Sequence, residues 1–124
     1  MSDVGIKNNR PLSPHLQIYK PIMTMVMSIV HRITGGALYF GTILVAWWLV
    51  AAAAGPDYFA LVNDIYGSIL GRLVLFGFTW ALVHHMLGGL RHFVWDMGYG
   101  FGREAREWMA KATIVASVVV TVLL

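Results

Sequence analysis

Two stretches of this sequence carry side chains that can bind ligands or handle charge. The first is Ser28-Ile29-Val30-His31-Arg32-Ile33-Thr34-Gly35. The second is His84-His85-Met86-Leu87-Gly88-Gly89-Leu90-Arg91-His92-Phe93-Val94-Trp95-Asp96. On a helix, at about 100° per residue, Ser28, His31, Arg32 and Gly35 share one face. A hydroxyl, an imidazole and a permanently charged guanidinium then point the same way. Ser28 and Arg32 together suit a carbonyl-bearing ligand that gains negative charge on reduction. By the same geometry His85, Gly89, His92 and Asp96 fall on one face of the second stretch. A neutral imidazole in an apolar span is a good axial ligand for haem iron. Gly89, one turn from His85, leaves room for a flat macrocycle, and Gly88 is expected to widen that gap.

His84 and His85 project about 100° apart, so one regular helix cannot aim both at the same iron. A second axial ligand has to come from elsewhere, from His31 or from a partner chain. Three helices make a thin cage for haem, which argues for a hetero-oligomer. Both stretches also suit plainer roles. Arg32 can snorkel to headgroup phosphates with His31 at the interface. Gly88 and Gly89 can let a second helix approach closely, with a buried histidine bonded to it. Met23, Met25, Met27 and Met86 are packing residues rather than iron ligands.

The elements that would position these groups are set by composition. Of the 124 residues, 58% are hydrophobic and 12% charged. A soluble domain carries roughly twice that charged fraction, so lipid is the expected solvent. One compact unit is expected, not two. With no cysteine, disulfides, thiolate-held iron–sulfur clusters and cysteine zinc sites are excluded. Apolar runs at about 21–54, 65–92 and 108–124 predict an all-α membrane protein of three transmembrane helices. Gly55-Pro56-Asp57 is a stop signal, and 96–102 is a Gly-rich exit or turn. Trp47 and Trp48 are expected in the outer aromatic belt, Trp95 and Trp108 in the inner one.

Lys7, Arg10, Lys20 and Arg32 precede or open the first run. Arg91, Arg103, Arg106 and Lys111 lie between the second and third, and Arg72 alone lies between the first and second. The positive-inside rule then puts the N-terminus in the cytoplasm and the C-terminus in the periplasm. Residues 1–9 have neither the apolar core of a signal peptide nor the composition of a transit peptide. A bacterial inner-membrane protein is favoured over an imported organellar one.

Taken together, the segments resemble the cytochrome b subunit of bacterial succinate dehydrogenase, the large membrane anchor of respiratory complex II. The resemblance rests on Arg10-Pro11-Leu12, on Ser28-x-x-His31-Arg32-x-Thr34, and on His85-x-x-x-Gly89-Leu90-Arg91-His92-Phe93-x-Trp95-Asp96-x-Gly98. It covers residues 10–124, three-helix plan included. It implies one haem b, held axially by His85 and shared with a second hydrophobic anchor subunit. It implies that Ser28 and Arg32 line a ubiquinone site, with His31, Arg91 and His92 on the haem-propionate side. The further partners would be a flavoprotein and an iron–sulfur subunit, with residues 1–20 docking at the cytoplasmic face and Pro11, Pro14 and Pro21 disfavouring helix there. No nucleic-acid partner is expected. The chain has neither a dinucleotide motif nor cysteine, so succinate oxidation lies outside it. Two other readings share much of this pattern: the anchor of a quinol:fumarate reductase, and a haem-free structural anchor.

Overall fold

The computed structural model describes residues 11–124; Lys7, Arg10 and the start of the expected docking segment lie outside the described residues. Regular structure among the described residues is helical throughout. α1 (His15–Ile18) is a single turn between Pro14 and Pro21, within a segment where the prolines predict no helix. α2 (Met23–Ala54), α3 (Pro56–Gly67), α4 (Ile69–Asp96) and α5 (Arg103–Leu123) follow.

α2 has 32 residues. At 1.5 Å per residue that is about 48 Å, well beyond the roughly 30 Å of a hydrocarbon core. It stops at Gly55, whose φ of 129° suits glycine, and Pro56 opens α3 at a position where its missing N–H costs nothing. α3 was not foreseen from the sequence. It occupies most of the stretch between the first two apolar runs, and α4 begins four residues later than the apolar run at 65. The break is made by Ser68, whose hydroxyl donates to the Ile65 carbonyl (2.6 Å) and accepts from Gly71 N–H (3.1 Å) as the N-cap of α4. At the other end, Gly98 and Gly100 take positive φ and turn the chain into α5. That helix starts at Arg103 rather than 108, so its first turns are charged.

α4 packs on both α2 and α5, which also touch each other, while α3 packs on α2 and on α4. Apart from Met27 and two valines, Val62 and Val83, the buried contacts are built from small or polar residues. Met27, Thr34 and Gly41 recur every seventh position along the buried seam of α2, and Gly41 receives the ring of Phe78. Ala110, Thr113, Ser117 and Thr121 form the buried face of α5. Large apolar side chains such as Ile33, Phe40, Leu73, Phe76 and Val122 point outward. This is the reverse of a soluble bundle. It is the arrangement expected where surrounding lipid is as apolar as leucine and association depends on close backbone approach. α2 and α4 are each long and apolar enough to cross a membrane.

Candidate functional site

The two polar stretches meet at one end of the α2–α4 pair. The rings of His31 and His85 stack with centroids 3.9 Å apart and planes 4° from parallel, and His92 tilts against His31 at 5.4 Å. Glycines make this approach possible. A Cβ on Gly35 would sit 2.9 Å from His85 Cε1, and one on Gly88 would sit 2.5 Å from His31 Nδ1. Each helix thus carries a notch for the other's imidazole. Gly88 was expected to open space for a macrocycle; it is filled by His31 instead. Gly89 is the glycine with open space beside it, with nothing within 4 Å of an added Cβ.

His85 Nδ1–H donates to the His31 carbonyl oxygen at 3.1 Å. A carbonyl only accepts, so Nδ1 carries the proton and Nε2 of the neutral ring keeps its lone pair. That is the tautomer an axial ligand requires. Among the described residues no group of three or more His, Asp or Glu could chelate a free metal ion.

His84 does something else. It is 1% exposed and faces α5, where its Nδ1–H donates to Ser117 Oγ (3.1 Å) while Ser117 donates to the Ile114 carbonyl (2.9 Å). Trp80 lies against its ring at 5.1 Å. His84 therefore ties α4 to α5, and His85, about 100° around the helix, faces α2. We expect His84→Leu to retain a six-coordinate low-spin haem spectrum in the assembled complex. It should destabilise the α4–α5 contact by about 1 kcal/mol, the worth of a membrane hydrogen bond, read as a lower denaturant midpoint.

A cavity of about 300 Å³ opens beside the histidines, lined by Thr24, Ser28, His31 and Arg32 from α2 and by Arg91, His92 and Trp95 from α4. It holds two guanidinium groups and no carboxylate. Arg32 and Ser28 are exposed along it, and Arg91 is 7% exposed with its Cζ 5.2 Å from the centre of the Trp95 ring. Arg91 Nε and Trp95 Nε1 are buried without hydrogen-bond partners. Buried donors are normally satisfied, so this end of the bundle suits a ligand that brings acceptor oxygens. Haem fits these residues: a lone-pair nitrogen at His85, an open glycine one turn away, and unpartnered donors where anionic propionates would lie. Two lining residues had no site role in the sequence. Trp95 read as a belt tryptophan, but its indole stacks under Arg91 and meets His92 edge-on at 5.0 Å. Thr24 lies one turn before Ser28 on the same face, a relation the helical period already contains. Asp96, on the same predicted face as His85, is exposed at the helix end.

Known proteins resemble this chain over most of its length. The family described as "Succinate dehydrogenase/Fumarate reductase transmembrane subunit" matches residues 6–124. The succinate dehydrogenase cytochrome b556 subunit of Paracoccus denitrificans is 47% identical over 99% of this chain and 94% of its own length. The b556 subunit of Rickettsia prowazekii is 40% identical over 96% of this chain and 93% of its own. The mitochondrial cytochrome b560 subunit of Sus scrofa is 39% identical over 77% of this chain and 58% of its own. The chain therefore belongs to the family of succinate dehydrogenase and fumarate reductase transmembrane subunits, among its cytochrome b members.

Proposed function

We propose that this chain is the haem-binding large anchor of a succinate:ubiquinone oxidoreductase of the bacterial inner membrane. It works with a flavoprotein, an iron–sulfur subunit and a second hydrophobic anchor. The observation that carries the proposal is the shared cavity: Ser28, His31 and Arg32 from one helix face Arg91 and His92 from another, beside the His31–His85 stack.

Ubiquinone is the substrate. It takes two electrons and two protons, and its carbonyl oxygens gain negative charge on the way. Ser28 would donate a hydrogen bond that orients one carbonyl. Arg32 would hold a fixed positive charge against the developing anion, where a partly dry setting makes the charge count for more. One haem b, when bound, supplies a one-electron carrier next to this cavity. His85 would ligate its iron, the partner anchor would supply the other ligand, and Arg91, His92 and His31 would face its propionates. Ser28→Ala should lower succinate:ubiquinone reductase activity about ten- to a hundredfold, the value of one charge-assisted or orienting hydrogen bond in a reacting site. Reduction of an artificial dye by the soluble subunits should be unaffected. Unchanged ubiquinone reduction in the assembled variant would count against the assignment.

In the membrane, α2, α4 and α5 would be the three spans. α5 has 21 residues, about 32 Å at 1.5 Å each, and its charged first turns would sit at the surface. The N-terminus would be cytoplasmic, the C-terminus periplasmic, and α3 would lie at the outer boundary, where Trp47 Nε1 donates to Tyr58 (2.8 Å) and Trp48 Nε1 to Asn63 (3.0 Å). Since the chain has no cysteine, single cysteines report topology cleanly. Asp57→Cys should react with an impermeant maleimide in spheroplasts. Glu104→Cys should react after the cells are opened. Reversed labelling would overturn the orientation.

A further inference from the structure

We propose that Thr34 is a positioning residue for the iron-ligating histidine, shaping the second hydrogen-bond layer behind His85. This rests on the assignment of His85 to haem. Thr34 is 2% exposed, on the α2 seam that faces α4. Its hydroxyl donates to the His31 carbonyl at 2.9 Å, and its oxygen lies 3.3 Å from His85 Nδ1. The same carbonyl accepts from His85 Nδ1–H at 3.1 Å. A threonine in a helix commonly bonds back to a carbonyl one turn earlier. Here that carbonyl is also the one that orients the ring of another helix, so the bond has a second consequence.

The His85 ring is fixed on several sides. One face rests on His31, and the Cε1 edge fills the notch left by Gly35. Nδ1–H is shared between two oxygens, one from the backbone and one from Thr34. Among the described residues no donor faces Nδ1 there except the hydroxyl, and its proton is spent on the carbonyl. The ring therefore cannot flip its tautomer or rotate without losing this pair of acceptors. The hydroxyl also moderates the carbonyl. While Thr34 donates to that oxygen, less of its electron density is available to His85 N–H. A stronger N–H···O bond makes an imidazole a more basic ligand, and a more basic ligand favours ferric iron. The Thr34 oxygen takes only the longer, 3.3 Å branch of Nδ1–H, so its moderation of the nearer carbonyl dominates, and Thr34 holds the haem potential higher than that carbonyl alone would.

Thr34→Val keeps the shape and removes the oxygen; Thr34→Ser keeps the oxygen. The assembled complex is purified from membranes and titrated potentiometrically while the haem spectrum and its ferric low-spin EPR signal are followed. In the Val variant the midpoint should fall and the EPR signal should shift, with dye reductase activity intact. The Ser variant should restore both. An unchanged or raised midpoint in Val overturns the proposal, as does a Ser variant that behaves like Val. If Val assembles without haem, Ser decides: wild-type potential supports the role, and equal haem loss overturns it. Absence of a b-type spectrum from the unsubstituted complex would instead remove the haem assignment itself.

Discussion

Exchange of Arg32 for leucine should lower ubiquinone reduction by succinate at least a hundredfold, leaving dye reduction by the soluble subunits in place. The size follows from what the side chain offers. Two guanidinium groups line the cavity and no carboxylate offsets them. Arg91 is buried against Trp95, whereas Arg32 is exposed along the cavity. Arg32 is thus the cation free to approach a reacting carbonyl. Removing one well-placed group that stabilises developing negative charge costs roughly 10²–10³ in rate. Lysine at this position keeps the charge but not the planar fork, so Arg32→Lys should recover part of the activity. A leucine variant with normal quinone kinetics would move the site away from α2.

His85→Ala should abolish the six-coordinate b-type spectrum and the haem content measured as pyridine haemochrome should drop severalfold. The backbone of α4 is not threatened, because alanine is the best helix former. What is lost is the nitrogen on the α2 side of α4 whose lone pair is left free by the bond from Nδ1–H to the His31 carbonyl. His84 cannot replace it. Its ring is turned into α5 and bonded to Ser117, about 100° from the α2 side. The contrast between His85→Ala and His84→Leu, one without haem and one with it, tests the choice between adjacent histidines directly. The opposite pattern would reverse that choice.

Much of the site follows from the helical period alone. Ser28, His31 and Arg32 were placed on one face by counting, and they line one cavity; His85 and His92 likewise both turn towards His31. What counting could not give is the rotation of one helix against another. Gly88 and Gly89 are adjacent and identical in type, yet one receives His31 and the other faces open space. Only the way α2 packs decides that. The pairing of His84 with Ser117 spans 33 positions and depends on the placement of α5. Trp95 passed for a belt residue because its neighbour across the turn, Arg91, could equally have pointed to water. α3 escaped notice for a local reason. Its segment mixes apolar and polar residues without a charge pattern, and its boundary with α4 depends on one serine acting as a cap. Thr34 stood in the sequence signature without a role, since its second partner comes from another helix.

The crossed glycine notches make the register of α2 on α4 a matter of yes or no. Sliding one helix by a single turn, about 5.4 Å, would drive both imidazoles against backbone that has no recess for them. The pair therefore clicks into one setting, like a two-pin plug. A bundle keyed in this way fixes the level of Ser28 and Arg32 against Arg91 and His92 by backbone recesses, so the width of the cavity between them does not depend on how its own long side chains settle.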